Sequence, residues 1–295
     1  MIDPQHKAEV LVQALPYITA FHDKVVVVKY GGNAMTDDKL AAQFAEDVVL
    51  LHSVGLRVVV VHGGGPQITA FMKRLGKEPE FRDGLRVTDA DSLDITRMVL
   101  VGKVNRDIVS AINVHGPRAV GVSGEDAGLI VASARHPDLG FVGDVEAVNP
   151  TIIHRLLAEH LIPVVSTIGS DSSGQAYNIN ADTVAGAIAV ALMAEKVIYL
   201  TDVEGLYRDF DTKEDLVSAI GAGELSALID EGVVSEGMIP KVAACIHAVQ
   251  RGVSSAHMVN GTVPHVLLLE LLTDAGIGTM ITKYAPAPGA EGTPR

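Results

Sequence analysis

The chain has 295 residues, 48% of them hydrophobic, which suits a globular fold of one large domain or two lobes sharing a sheet. Its formal charge of −13 works against a nucleic-acid partner, since phosphate backbones demand a basic face to displace counterions. A lone cysteine, Cys245, excludes an internal disulfide; no run of eighteen apolar residues offers a membrane span and the N-terminus lacks the three-block pattern of a signal peptide, so a cytoplasmic location is expected.

Residues 5–22 place Val10 or Leu11, Ala14, Leu15, Ile18 and Phe21 on one helical face, with a kink expected at Pro16. Val25 to Val28 then form a β-branched run of the kind buried on both faces of a sheet. A helix follows from about Asp37, with Thr36 as N-cap and Leu40, Phe44, Val48 and Leu51 turned inward. The grammar repeats with Val58 to Val61, a glycine loop and a helix from Pro66. A long helix is expected over 89–113, opened by Thr88 and Asp91 as a capping-box-like pair, then strands at 118–122, 129–133 and 140–146.

Asn149-Pro150 starts a further helix, and 162–165 reads as a buried strand. The second half alternates a helix near 181–193, a strand at 196–201, helices near 223–231 and 239–251, a strand at 255–259 and a helix from Pro264. Strands alternating with helices imply an α/β fold: a three-layer αβα sandwich around a mainly parallel sheet, with an added N-terminal helix. The polar stretch 169–174 is the expected boundary between an N-lobe of residues 23–172 and a C-lobe of residues 173–284. Residues 285–295, rich in Pro, Gly and Ala, are expected to be a disordered tail.

In open α/β sheets ligands gather at the carboxyl ends of strands, where loops and helix N-termini aim N–H groups outward. Gly31-Gly32 and Gly63-Gly64-Gly65 both occupy such ends and can form nests for phosphate or carboxylate oxygens. No G-x-x-x-x-G-K-[ST] occurs, and Ile68 stands where G-x-G-x-x-G requires its third glycine. Lys29, Arg86 and Lys241 stand out as cations beside glycine-containing or helix-starting segments. Taken singly these residues have plainer readings: Asp182 as a helix N-terminal charge, Asn178 as a turn brace, His62 as a packed strand-end residue, Cys245 as core.

Together, Lys29-Tyr30-Gly31-Gly32, His62-Gly63-Gly64-Gly65-Pro66, Asn178-Ile179-Asn180-Ala181-Asp182 and Gly237-Met238-Ile239-Pro240-Lys241 make a four-part set. This set resembles the amino-acid kinase superfamily, and within it the acetylglutamate kinases of arginine-sensitive type, over nearly all of residues 24–279. The resemblance implies ATP-dependent phosphorylation of the side-chain carboxylate of N-acetyl-L-glutamate in arginine biosynthesis. It implies that Lys29 and Lys241 stabilise the moving phosphoryl group and that Asp182 orients both. Such transfer rests on positioning and charge neutralisation, and a carboxylate acceptor already ionised at neutral pH needs no general base.

The resemblance assigns Arg86 to the acceptor's α-carboxylate, Gly64 and Gly65 amides and Asn178 to its other polar groups, and the N-lobe to acceptor binding and dimerisation. It places Gly31, Gly32, Thr201, Asp202, Gly205, Leu206, Tyr207 and Met238 by ATP, with Mg²⁺ held mainly by phosphates and water. Glu125 stands where many relatives carry lysine, and Thr262 where Arg or Lys is frequent. His257, Glu270 and Gly276 match the pocket for L-arginine as inhibitor in the C-lobe, and helix 1–22 matches the segment that interlaces dimers into a homohexamer, a trimer of dimers. Whether a nitrogen-signalling protein docks on such a hexamer stays open, and the alternatives are another carboxylate or carbamate kinase, or a non-catalytic arginine sensor.

Overall fold

The two valine runs form the middle of the sheet. Val25–Tyr30 pairs in parallel with Arg57–His62 on one side, Val26 opposite Val58, and with Lys196–Thr201 on the other, Val27 opposite Val197. A computed structural model describes residues 3–209, 214–234 and 237–285. Its eight-stranded sheet runs in the order Ala219–Gly221, Thr279–Thr282, Ser255–Asn260, Lys196–Thr201, Val25–Tyr30, Arg57–His62, Ile162–Ser166, Ala119–Ser123. Neighbours are parallel except Ser255–Asn260 against Thr279–Thr282.

Because side chains alternate across a strand, each run feeds two cores. Val27, Val59, Val61, Val197 and Tyr199 face one core, closed by helices Thr151–Ala158, Ala181–Ala191, Ala222–Asp230 and Ile239–Gln250. Val26, Val28, Val58, Val60 and Ile198 face the other, closed by Leu15–Phe21, Asp38–Ser53, Gly65–Arg74, the segment 90–113 and Val266–Leu272. The layered sandwich expected from the alternation is therefore present. Cys245 lies in the first core and is fully buried.

Several helix starts differ from expectation. Asp37, not Thr36, caps Asp38–Ser53, accepting from Lys39 and Leu40 N–H at 2.8 and 2.9 Å, while Thr36 Oγ1 donates to Asn33 O and closes the preceding turn. Asp89 rather than the Thr88–Asp91 pair caps the next helix, accepting from Ser92 N–H at 2.9 Å. That helix has a π-helical stretch at Met98–Val104 between α-helical turns Ala90–Arg97 and Asn105–Asn113. The last helix starts at Val266, after His265 turns left-handed with φ +55°. The N-terminal segment breaks at Ala14 into Pro4–Gln13 and Leu15–Phe21, with Pro16 in the first turn of the second.

Three hairpins escaped the sequence pattern: Phe81–Arg82 with Leu85–Arg86, Ile168–Ser170 with Ala176–Ile179, and Tyr207–Asp209 with Glu214–Leu216. The second joins Ile130–Ala134 and Val142–Val148 in a small closed sheet, so the polar stretch 169–174 lies largely in its turn. Apart from Ala285, the tail 285–295 lies outside the described residues. Among the described residues no helix is long and apolar enough to cross a membrane.

Leu51 is fully buried on the helix that closes the second core. Leu51→Ala is expected to cost ~2–5 kcal/mol in urea unfolding; a loss well under ~1 kcal/mol would mean that this helix does not seal that face.

Candidate active site

Lys29 alternates with Val27 and so falls on the face covered by helix Ala181–Ala191, whose first turn carries Asp182. Asn180 caps that helix, accepting from Asp182 and Thr183 N–H, and fixes where the carboxylate points. Lys241 comes from the first turn of the adjacent helix Ile239–Gln250. Lys29 Nζ lies 3.0 Å from Asp182 Oδ1 as an ion pair, and Lys241 Nζ donates to Oδ2 at 3.3 Å. Burial works to raise the Asp182 carboxyl, but Lys29 and Lys241 outweigh it and hold it below the usual carboxylate range.

Two cations on one carboxylate leave a net positive junction, reinforced by the N-terminal ends of two helices. Asp182 and Lys241 line both a cavity of ≈ 300 Å³ and an open cleft of ≈ 930 Å³, so an anion reaching from one to the other passes the lysines. The smaller cavity also gathers Gly31, Gly32, Gly64, Gly65, Arg86 and Asn178, bringing the expected acceptor set together with Lys29.

A Cβ on Gly31 would sit 2.9 Å from Lys29 Nζ and so displace the lysine head. Gly32 takes φ +70°, and its N–H-rich turn is fastened by Asp202, whose Oδ1 accepts from Asn33 N–H at 2.8 Å. Arg86 is buried and donates to Gly65 O at 3.0 Å, Thr69 Oγ1 at 2.8 Å and Met72 Sδ at 3.3 Å, with its guanidinium 4.7 Å from the Phe81 ring centroid. Burial pushes its pKa down, and among the described residues no carboxylate pairs with it. A buried cation so placed favours an incoming anion. Asn178 donates to Thr88 Oγ1 at 3.3 Å.

The remaining residues expected on the nucleotide side form a connected strand end. Thr201 Oγ1 donates to Val203 O at 2.6 Å, Leu206 N–H goes to Thr279 Oγ1 at 2.8 Å, and a Cβ on Gly205 would lie 2.5 Å from that hydroxyl. Leu206 and Met238 are buried, whereas Tyr207 donates to Glu204 at 2.7 Å. Leu206 and Tyr207 line an apolar cavity of ≈ 190 Å³ with Val217 and Leu225. Glu125, in the loop after Ala119–Ser123, pairs with Arg97 at 2.8 Å.

A second polar cluster lies in the other core. His257 Nδ1 donates to Glu270 Oε1 at 2.6 Å, and Ile277 N–H reaches Oε2 at 3.2 Å just after Gly276, which has φ +45°. Sequence reasoning missed Lys196, which donates to His257 Nε2 at 3.1 Å and sits 5.1 Å from the Phe21 ring centroid. The signal was available: Lys196 opens a buried strand, where a lysine is rare unless partnered. Burial lowers its pKa to about 8. Burial also works to raise Glu270, but His257 and Lys196 outweigh it and hold that carboxyl low.

The sequence profile of the Amino acid kinase family matches residues 24–260. The acetylglutamate kinase of Methanothrix thermoacetophila is 50% identical over 284 residues, 94% of this chain and 98% of that protein. That of Saccharopolyspora erythraea is 54% identical over 282 residues, 93% and 92% of the two chains. Among solved structures, the N-acetylglutamate synthase of Neisseria gonorrhoeae complexed with coenzyme A and N-acetyl-glutamate superposes with a TM-score of 0.83 at 25% identity, covering 95% of this chain and 64% of the synthase. The same synthase complexed with coenzyme A and L-arginine gives 0.79 at 25% identity, over 94% and 66%.

Lys196 also yields a pH test. Its folded pKa, about 8, lies below the unfolded value of 10.5, so between those values the unfolded chain binds more protons and stability gained through Lys196 rises with pH. The unfolding free energy of the parent relative to Lys196→Met is expected to climb across that window and to be level below it. A difference that stays flat up to pH 10.5 would remove the burial effect.

Proposed function

The chain belongs to the amino acid kinase family and, within it, to the acetylglutamate kinases, and from that premise we propose that it transfers the γ-phosphoryl group of ATP to the side-chain carboxylate of N-acetyl-L-glutamate, a step of arginine biosynthesis. The observation that carries this reading is Asp182 bridging Lys29 and Lys241 at the junction of two cavities.

Phosphoryl transfer through a loose transition state spreads charge over the equatorial oxygens, and fixed cations in a poorly hydrated site stabilise it most. Lys29 and Lys241 supply those cations from a strand end and a helix start. Asp182 offsets their mutual repulsion and limits their motion without quenching both. Arg86, which no carboxylate among the described residues pairs with, takes the acceptor's α-carboxylate, a planar fork that lysine does not reproduce, while the Gly64 and Gly65 amides and Asn178 receive its other polar groups.

Gly31 and Gly32 bring backbone N–H groups against the phosphates, with Asp202 holding the turn. Mg²⁺ would be carried mainly by the phosphates and water. The ion would neutralise charge on the β- and γ-oxygens. The segment 201–207 with Met238 provides the nucleotide side.

The buried Lys196, His257 and Glu270 cluster suits a guanidinium and a carboxylate together, and the synthase that superposes on this chain was solved with L-arginine. We read it as the inhibitory arginine site. Phe21 ties that cluster to the N-terminal helices, of which Pro4–Gln13 buries none of its residues and exposes Val10, Leu11 and Val12, while Leu15 is exposed at the start of the next. Apolar residues on an uncovered helix fit an interlacing role in a trimer of dimers.

Incubation with MgATP and N-acetylglutamate, glutamate, aspartate or carbamate, with hydroxylamine trapping of acyl phosphate, tests the reaction. Signal with acetylglutamate alone is expected, and signal with another acceptor instead would move the chain to a sister activity. Lys241→Ala is expected to lower turnover by ~10²–10³ with the fold intact; near-parental turnover would take Lys241 out of its role. Deleting residues 1–22 is expected to reduce the native mass from hexamer to dimer, and an unchanged assembly would defeat the interlacing helix.

A further inference from the structure

His62 ends its strand fully buried on the second core's side, and it is not part of the acceptor set itself. Its Nδ1 lies 2.9 Å from Gly63 O, a carbonyl that only accepts, so Nδ1 carries the proton. Burial pushes its pKa down to about 4, and the ring is neutral near pH 7 with Nε2 as an acceptor. That acceptor meets Asn105 Nδ2 at 3.1 Å, while the same amide nitrogen donates to Val164 O at 2.8 Å. Arg106 donates to Asn105 Oδ1, so every polar atom of the Asn105 side chain is engaged and its orientation is fixed.

The consequence falls on one peptide plane. In a trans peptide the carbonyl of Gly63 and the N–H of Gly64 point in opposite directions. A ring that holds Gly63 O on the core side turns the Gly64 N–H toward the cavity that Gly64 lines with Lys29 and Arg86. Among the described residues none accepts that N–H. The π-helical stretch crowds the next residue: a Cβ on Gly64 would lie 2.7 Å from Leu100 Cδ2 and 3.2 Å from Val104 Cγ2, so the loop packs against Leu100 and Val104 beside the His62 bond.

We propose that His62, oriented by Asn105, is a positioning residue that fixes the Gly63–Gly64 peptide so that the Gly64 N–H meets the acceptor carboxylate during phosphoryl transfer. The proposal rests on the acetylglutamate kinase reading above. His62 touches no substrate and moves no proton; its task is to prevent the peptide from flipping, an error of geometry that costs rate steeply.

Full-length parent, His62→Leu, His62→Asn and Asn105→Leu are compared for turnover and for KM toward each substrate, with thermal unfolding and MgATP binding as fold controls. Parent turnover with acetylglutamate comes first, because its absence defeats the proposed function rather than the role of His62. His62→Leu is expected to lose about 10–100-fold in kcat/KM for acetylglutamate with MgATP affinity unchanged. His62→Asn, whose amide nitrogen takes the place of Nδ1, is expected to recover to within about fivefold of the parent, and Asn105→Leu to lose about tenfold on the acceptor side alone. Parental kinetics in His62→Leu would overturn the proposal. So would equal damage to both substrates, or a His62→Asn variant no better than His62→Leu. If His62→Leu fails to fold, the acceptor-side loss in Asn105→Leu and the recovery in His62→Asn decide the matter by the same criteria.

Discussion

The organisation of the site depends on one carboxylate shared by two ammonium groups. Asp182 stands in the first turn of a helix, where the helix dipole already favours an anion, and meets Lys29 from the strand beneath it and Lys241 from the neighbouring helix. Lys29 alone would be an expensive charge at this depth. The arrangement makes it affordable to the fold while leaving one positive charge uncompensated for an incoming polyanion. Nearby glycines follow from the same crowding, since Gly31 has a lysine head where a side chain would go.

Much of this was legible in the residues because it was written locally. Valine runs announce the central strands, glycine pairs at their ends announce ligand loops, and the amphipathic stretches between them announce helices on both faces. Lys29, Asp182 and Lys241 stand at positions where strand alternation and helix starts already dictate direction. What stayed hidden needed distant partners. Asp202 looks like a loop carboxylate until its bond to Asn33, 169 positions away in sequence, shows it holding the first glycine turn. Lys196 opens an apolar run with only Glu195 beside it in sequence, and Phe21, His257 and Glu270 surround it from three separate segments.

Caps and hairpins failed for a different reason. Thr36 and Asp37, or Thr88 and Asp89, are all cap-forming types with Asp the stronger, and competition from a turn carbonyl removes the threonines: Thr36 is spent on Asn33 O and Thr88 on Arg86 O. The hairpin 168–179 reads as a polar linker because its strands are short and its middle is serine and glycine. Its place is set by the small closed sheet rather than by its own sequence.

The alternation of side chains along the central strands has an evolutionary corollary. On Lys196–Thr201, odd steps turn Tyr199 toward Asp182, whose carbonyl lies 3.4 Å from the phenol oxygen, while even steps turn Lys196 and Ile198 to the opposite core. Loss of a single codon inside such a strand would exchange the two faces from that point on, sending a valine to meet Asp182 and a lysine into aliphatic packing. Conservative replacements can accumulate in these segments, but reading-frame-preserving deletions cannot. The turns between the strands carry no such constraint on length.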